Sequence, residues 1–446
     1  MTEKIHMKKR LSSFQTIILG FAAVILLGAF LLMLPISSQQ RIITPFHDAL
    51  FTSTSAVCVT GLVVRDTASY WSAFGQTILL ILIQIGGMGV ITIAASFALL
   101  SGKKISLMQR STMQEAIGAP EMGGIVRLTG FIIKMTFIFE LAGACILMPV
   151  FCKDFGLRGI WMSVFHSISA FCNAGFDLMG TDQLPYASVT AYIGSPLVIL
   201  TFSLLVIIGG IGFKTWDDVR VNKWHLKQYR MQSKVILITS LILIVLPAVF
   251  FFFYEFSGLP IKERLLASFF QSVSPRTAGF NSADLTAFSG AGKCLMIVLM
   301  LIGGSPGSTA GGMKTTTIAV LLSTTIAVFR HKEDTSFFGR RIDGSVIRNA
   351  ATILMMYLTF FLTGACIISI AEGLPLDICL FETASAVGTV GLTLGITPQL
   401  GILSQCILIV LMFIGRVGGL TMIYAALTPN PNRNLSRSPQ EKITVG

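Results

Sequence analysis

Long apolar runs alternate with short, half-apolar segments along the whole chain. Eight runs are long enough to cross a hydrocarbon core of about 30 Å as helices. They lie at 14–35, 75–100, 128–151, 191–213, 235–256, 294–329, 349–370 and 402–427. A shorter segment lies inside each successive pair, at 44–58, 159–172, 261–275 and 375–388. These four segments are too short to cross as helices, so the pattern predicts re-entrant segments that line a cavity.

The four short segments are diverged copies of one motif. They read FTSTSAVCVTG (51–61), FHSISAFCNAG (165–175), FFQSVSPRTAG (269–279) and FETASAVGTVG (381–391). In each copy a Phe lies ten residues before a Gly, and a small residue lies five before it. An internal repeat of this kind decides the fold. The sequence therefore predicts four units of helix, pore helix and helix in one chain.

A second motif follows each of these glycines at the end of the next apolar stretch. It reads IGGMG (85–89), IGGIG (208–212), IGGSPG (302–307) and IGRVGG (414–419). Gly is common in membrane helices because it lets backbones pack closely, which is the simpler explanation of any single copy. The recurrence of both motifs in four copies favours a repeat of the whole unit.

The placement of Lys and Arg residues indicates how the chain is oriented in the membrane. Only 12% of the residues are charged and 53% are hydrophobic, and the mean hydropathy is +0.78, as in a membrane protein in contact with lipid. Most Lys and Arg residues outside the apolar runs lie in 1–10, 101–127, 214–234, 330–348 and the C-terminal tail. By the positive-inside rule both termini are cytoplasmic and the four short segments enter from outside. The net charge of +12 therefore needs no nucleic-acid partner.

These patterns predict an all-α polytopic membrane protein with four parallel helix, pore helix and helix repeats around one pseudo-fourfold pore. It has eight transmembrane helices and four re-entrant pore loops. The predicted organisation is an N-terminus at 1–13, repeat 1 at 14–100, a loop at 101–127, repeat 2 at 128–213, a loop at 214–234, repeat 3 at 235–329 with a broken second helix, a loop at 330–348, repeat 4 at 349–427 and a tail at 428–446. The termini and these loops are cytoplasmic.

Parallel repeats place four loops at one depth around one axis, which is the geometry of a channel. Backbone carbonyls arranged in a ring can replace the hydration shell of K⁺. The candidate filter residues are Val59, Thr60, Gly61, Asn173, Ala174, Gly175, Thr277, Ala278, Gly279, Thr389, Val390 and Gly391. Gly reaches backbone angles that other residues avoid, and pore helices ending before the loops would point their negative ends at a cation. K⁺ at the filter carbonyls is the predicted ion.

The motifs SAVCVTGL, CNAGF, RTAGF and SAVGTVGL, each followed by IGG or IGR, resemble those of the superfamily of bacterial Ktr and Trk and plant HKT potassium transporters. Because the chain starts directly with the first repeat, it is most similar to the pore subunits of the Ktr branch. The resemblance implies potassium uptake across the bacterial plasma membrane, through a homodimer with one pore in each subunit. In that superfamily a Gly at the position of Gly61 favours potassium over sodium.

The resemblance also implies a gate. The sixth apolar run is interrupted by GGSPGSTAGGMKTTT, where Pro306 and the glycines disfavour a regular helix. In the superfamily the matching segment is an intramembrane loop that obstructs the pore below the filter, and an Arg projects into the path. The predicted gate comprises Gly303, Gly304, Ser305, Pro306, Gly307, Ser308, Thr309, Ala310, Gly311, Gly312, Lys314 and Arg416. A kink that serves packing, and an Arg that only satisfies carbonyls, remain alternatives.

The predicted partners are membrane lipid and, by the resemblance, a cytosolic ring of octameric type built from RCK subunits that bind nucleotide. The chain carries no phosphate-binding Gly loop, so no cofactor is expected in it. It is not expected to be an enzyme, because few intramembrane acids and five scattered His residues offer no catalytic cluster. An ion-coupled secondary carrier, such as a K⁺/Na⁺ symporter, is the alternative function.

Overall fold

The computed structural model describes residues 12–100, 106–117, 123–181, 183–419 and 421–422. Most of the predicted N-terminal segment 1–13, parts of the loop 101–127 and all of the tail 428–446 lie outside these residues. The described chain is helical almost throughout, and its helices follow the four predicted repeats in order.

Each repeat contains one long helix, one pore helix and one or more shorter helices. Repeat 1 contains α1 (Ser13–Met33), α2 (Phe46–Val57), α3 (Thr67–Tyr70), α4 (Ala73–Met88) and α5 (Val90–Leu100), and α6 (Leu107–Ile117) follows it. Repeat 2 contains α7 (Ile125–Phe155), α8 (Arg158–Phe171) and α9 (Pro196–Ile211), followed by α10 (Phe213–Asn222). Repeat 3 contains α11 (Met231–Phe253), α12 (Ile261–Val273), α13 (Gly290–Leu301) and α14 (Thr315–Phe329). Repeat 4 contains α15 (Gly344–Glu372), α16 (Leu376–Gly388) and α17 (Ile402–Val417).

One small sheet lies in the loop between repeats 3 and 4. Its strands β1 (Ser336–Phe337) and β2 (Arg340–Arg341) pair antiparallel, with Ser336 opposite Arg341. The sequence did not predict this hairpin, because two-residue strands leave no alternating pattern.

The first helix of each repeat is one continuous helix. Among the described residues α1, α7, α11 and α15 are each long and apolar enough to span a membrane. The second run of each repeat is instead built from shorter helices, and the pair α9 and α10 is bent by 94°. All eight predicted runs are present as helical segments, but four of them are divided.

The second run breaks in every repeat, whereas the sequence predicted a break only in repeat 3. In repeats 1, 2 and 4 the break is a single glycine with positive φ, at Gly89 (85°), Gly212 (100°) and Gly418 (89°). A residue with positive φ cannot continue a right-handed helix. Hydropathy does not reveal the breaks at Gly89 and Gly418, because the residues on both sides are apolar. Gly212 lies one residue before the end of its predicted run, and the polar helix α10 follows it, almost entirely inside the predicted loop 214–234.

The short pore helices α2, α8, α12 and α16 pack closely against the first helices. A Cβ at Gly28 of α1 would lie 2.5 Å from the Ser53 hydroxyl oxygen of α2, so the two helices approach closely at this glycine. Beside it the Ser53 hydroxyl of α2 donates to the Ile25 carbonyl at 2.7 Å. The same pair recurs in repeat 2 as Gly143 and Ser167.

Repeat 3 is offset by one residue from the sequence alignment. The first aligned Phe is fully buried in the other repeats, but in repeat 3 the buried ring is Phe270 (1% exposed), and Phe269 is only half-buried. Ser274 likewise bonds the Phe280 carbonyl as Ser169 bonds that of Phe176. The alignment on Phe269 was therefore wrong: the turn of repeat 3 is one residue shorter.

Candidate functional site

The four predicted filter loops share one backbone conformation. The first residue of each loop has positive φ: Val59 (51°), Asn173 (56°), Thr277 (70°) and Thr389 (51°). The third residue does as well: Gly61 (92°), Gly175 (70°), Gly279 (77°) and Gly391 (97°). Non-glycine residues rarely adopt this conformation. Its recurrence in all four repeats shows that one sharp turn is built four times.

The four loops meet around one axis in the order of the chain. A Cβ at Gly61 would lie 2.6 Å from the Ala174 carbonyl oxygen, and one at Gly175 would lie 2.8 Å from that of Ala278. The other two contacts close the ring, since Gly279 faces the Val390 carbonyl and Gly391 faces that of Thr60. Every glycine thus contacts the second-position carbonyl of the next repeat, and no side chain fits between them.

The IGG motif is explained by the same close approach. A Cβ at Gly86 would collide with the Val57 carbonyl at the end of pore helix α2. The equivalent contacts are Gly209 with Phe171 and Gly415 with Val387. The second helix of each of these repeats therefore presses directly on the end of its pore helix, behind the loop.

The candidate ion ligands are backbone oxygens. Among the residues that the structure describes, no group of three or more His, Cys, Asp or Glu side chains could hold a metal ion. The pore helices end immediately before the loops, at Val57, Phe171, Val273 and Gly388. Their negative ends favour a cation at the ring.

A vestibule of about 240 Å³ lies against the four glycines on the face away from the gate segment, and Asp66, Asp177 and Asp284 line it. Burial raises the pKa of the Asp177 carboxyl to about 7, the backbone N–H of Met179 opposes this, and nearby Asp66 adds to it. Hydrogen bonds from Thr286 hold the pKa of Asp284 below its ordinary value. Asp284 therefore carries a negative charge that attracts cations to the vestibule, whereas Asp177 is only partly ionised near neutral pH.

Sequence reasoning missed these three acids. Each lies two to five residues after a filter glycine. An acid shortly after the glycine in three of the four repeats is the signal that indicates them. The signal was weak because the offset from the glycine varies and repeat 4 has Thr393 and Ile396, not acids, at the corresponding positions.

The predicted gate segment forms an irregular loop on the other face of the ring. Its two ends are joined by the bond from Gly303 N–H to the Met313 carbonyl (2.8 Å) and by that from Thr315 N–H to Gly304 (3.0 Å). The Lys314 ammonium donates to the Ala310 and Gly311 carbonyls at 2.9 and 3.0 Å. A Cβ at Gly311 would meet the Thr389 side chain, so the loop lies directly against the filter.

The helix breaks of the other repeats hold this loop. A helix end leaves its last carbonyls without intrahelical partners. Before the break at Gly212, the Gly210 carbonyl accepts from Ser305 N–H at 3.0 Å and that of Gly209 from Thr309 N–H at 3.2 Å. Two further bonds of the loop are from Gly312 N–H to the Gly415 carbonyl (3.0 Å) and from Phe213 N–H to that of Gly307 (2.7 Å).

Arg416 joins three repeats at this level. Its guanidinium donates to the Thr309 carbonyl of the loop and to the Gly86 and Gly87 carbonyls at the end of α4, the last at 3.0 Å. The structure thus brings Arg416 and the predicted gate loop together, as the sequence analysis expected. The same bonds also fit the alternative of an Arg that satisfies carbonyls.

The comparisons with known proteins agree on the family. Residues 3–438 match the model of the family TrkH, described as cation transport protein. The chain is 40% identical to the potassium/sodium uptake protein NtpJ of Enterococcus hirae, over 99% of both chains. It is 39% identical to the Ktr system potassium uptake protein B of Bacillus subtilis, over 97% of this chain and 96% of that one.

A solved structure gives the fold independently. The crystal structure of the potassium transporter TrkH from Vibrio parahaemolyticus matches with a TM-score of 0.75 at 20% identity, covering 96% of this chain and 87% of that one. This confirms the predicted all-α polytopic fold class. Since the matching family consists of transport proteins, the prediction that the chain is not an enzyme is confirmed as well.

The ring contact of Gly391 generates a first prediction. Gly391→Ser places a Cβ against the Thr60 carbonyl and 2.9 Å from Gly61 Cα, so the ring must widen. We expect K⁺ over Na⁺ selectivity to fall about tenfold, the change that about 1.4 kcal/mol produces. Tracer uptake of both ions in cells, normalised to protein in the membrane, measures it.

Gly395→Ser is the matched control. Gly395 has nearly the same φ (91°) as Gly391 (97°), but nothing lies within 4 Å of its Cβ position. Both variants carry the same backbone strain, of about 1–3 kcal/mol. Only the Cβ of Gly391→Ser also clashes with the neighbouring loop of repeat 1. Equal selectivity in the two variants would contradict the ring as the selective element.

Proposed function

We propose that this chain, which belongs to the TrkH family of cation transport proteins, forms a potassium-selective pore for K⁺ uptake across the bacterial plasma membrane, with both termini cytoplasmic. The closed ring of four glycines and four neighbouring carbonyls carries the proposal. Carbonyls held in such a ring can replace the hydration shell of an ion. Two relatives at 39% and 40% identity are named for potassium uptake, which supports K⁺ as the ion.

The loop 303–312, Lys314 and Arg416 are the proposed gate in its closed state. The loop lies against the filter, and its bonds run to α9, α10 and α17 rather than within a helix of its own. Arg416 bonds the end of α4. Opening then requires that these bonds break together and that the Arg416 charge leaves the ion path. A force that moves the ends of the second helices would do both.

A cytosolic ring of octameric type, built from nucleotide-binding RCK subunits, is the proposed source of that force, acting on a homodimer of this chain. The name of one relative, the Ktr system protein B, supports a system of more than one component. The turn after α10 offers a docking surface: Trp224 is 94% exposed, with Val221 and Leu226 exposed beside it, and Lys223 and Lys227 flank them. We call residues 221–227 the docking turn.

The basic function is tested by flux into liposomes. We expect purified protein to carry K⁺ down its own gradient, in preference to Na⁺, with no gradient of a second ion. A potassium-sensitive dye inside the vesicles measures the rate. Flux that requires an opposing or accompanying Na⁺ gradient would instead establish an ion-coupled carrier, and equal K⁺ and Na⁺ rates would overturn selectivity.

The gate is tested in the same liposomes without any partner. We expect Arg416→Gln, or deletion of Ser308–Ala310, to raise K⁺ flux about tenfold, because a lowered barrier of about 1.4 kcal/mol gives that factor. Arg416→Lys separates the two roles of the side chain. It keeps the positive charge but cannot bridge three carbonyls as the planar guanidinium does.

If Arg416→Lys also raises the flux, the hydrogen bonds of the guanidinium form the barrier. If Arg416→Lys has wild-type flux, the positive charge forms it. If Arg416→Gln and the loop deletion both show wild-type or lower flux while inserted and folded, the segment is structural and the gate proposal fails.

The docking turn is tested by co-purification with the cytosolic subunit of the same uptake system. We expect Trp224→Ala combined with Lys223→Gln and Lys227→Gln to weaken binding about tenfold, because exposed Trp residues anchor interfaces. Arg230 is left unchanged, since it pairs with Asp217 at 3.3 Å. Lys262→Gln, on the predicted outer face, is the control, and undiminished binding by the triple variant would contradict this site.

A further inference from the structure

We infer that a polar bond in each repeat, between its pore helix and the chain segment just after its filter glycine, holds the carbonyl ring at the spacing that selects K⁺. We call the bonds made by Asp48, His166, Gln271 and Glu382 the filter tethers. The serine bonds to Phe176 and Phe280 hold the residue directly after the glycine and are separate from them. The inference deepens the proposed function and rests on it. It adds positioning residues that lie outside both the ring and the gate.

The tether of repeat 4 is a buried carboxylate. Glu382 of α16 is fully buried, and it accepts a hydrogen bond from the Thr393 hydroxyl at 2.8 Å and another from that of Thr397. Thr393 lies two residues after Gly391. A buried carboxylate is costly unless it is hydrogen-bonded. Both oxygens of Glu382 are occupied by the segment that follows the filter.

Repeat 2 has an imidazole at the same place. His166, like Glu382, directly follows the buried Phe of its pore helix. Its Nε2 accepts from the Leu178 N–H at 3.1 Å, and its Nδ1 lies 2.7 Å from the Met162 carbonyl. The ring is therefore neutral, with its proton on Nδ1. Leu178 lies three residues after Gly175.

Repeat 3 has an amide at the equivalent position, once the one-residue offset is applied. Gln271 follows the buried Phe270, and its Nε2 donates to Oδ1 of Asn281 at 2.9 Å. Asn281 lies two residues after Gly279. Its Oδ1 also accepts from the Ala283 N–H at 3.1 Å, so the tether fixes the turn itself.

In repeat 1 the tether comes from a residue one helical turn earlier in the pore helix. Thr52, at the equivalent position, bonds the Asp48 carbonyl of its own helix at 2.8 Å. Asp48, on the same face of α2, instead pairs with Arg65 at 2.9 Å. Arg65 lies four residues after Gly61. Four different chemistries thus make one connection in four repeats.

The recurrence indicates a common physical need. The filter loops turn through left-handed residues and carry no regular hydrogen-bond ladder, so their outer ends need external support. A binding site loses specificity when its supporting residues leave it about 1 Å too loose. The tethers connect each outer end to a rigid helix within two to four residues of the glycine.

Repeat 4 gives the sharpest test. We expect Glu382→Ala and Thr393→Val each to lower K⁺ over Na⁺ selectivity about tenfold while K⁺ flux into liposomes persists. Glu382→Gln can accept from one hydroxyl and donate to the other, so it should retain selectivity near that of the wild type. Asp377→Asn is the control, because Asp377 is an exposed acid in the first turn of the same helix.

The outcomes separate this inference from the proposed function. A wild-type protein without K⁺ preference would refute the proposed pore itself. A selective wild type with equally selective Glu382→Ala and Thr393→Val variants would overturn the tethers alone. If Glu382→Ala does not insert, Thr393→Val decides, because it changes only a loop side chain at nearly constant volume.

Discussion

Four backbone turns must contact one another around an axis with no side chain between them, and the rest of the architecture serves this requirement. Each turn sits at the end of a pore helix that must itself be held from two sides. Gly28 lets a first helix approach from outside, and Gly86 lets a second helix press on the pore-helix end. The abundance of glycine in this chain reflects backbone packing against backbone, where each added methyl group would force the ring apart.

The proposed gate loop is held by the same helices. The second runs of repeats 1, 2 and 4 all break three residues after an IGG or IGR glycine, and the carbonyls freed there accept bonds from the loop and from Arg416. Glycine therefore has two separate effects along one short stretch. It permits contact with the pore helix, and three residues later it exposes the acceptors that hold repeat 3 in place.

Much of this could be predicted from the sequence, and the rest could not for physical reasons. Periodic apolar runs and a motif repeated four times gave the fold class and the loop positions, and the family resemblance implied that Arg416 meets the gate segment. The break at Gly89 was hidden, because apolar residues lie on both sides of it. The bend at Gly212 was hidden for another reason, since it lies next to the end of its predicted run. The bond between Glu382 and Thr393 was hidden as well, since nothing in a single sequence shows which buried polar groups face each other. The sequence alignment used Phe269 in place of the buried Phe270, because two Phe residues stand side by side and the sequence does not show which of them is buried.

The ring closes by contact between Gly391 and Gly61, which belong to the last and the first repeat. Neighbours around the axis are otherwise neighbours along the chain. During synthesis three sides of the ring therefore exist before the fourth does, and the ring is complete only once repeat 4 has been made. A nascent or truncated chain that ends before residue 391 lacks a closed filter. The order of the repeats thus makes closure of the ring wait for the synthesis of repeat 4.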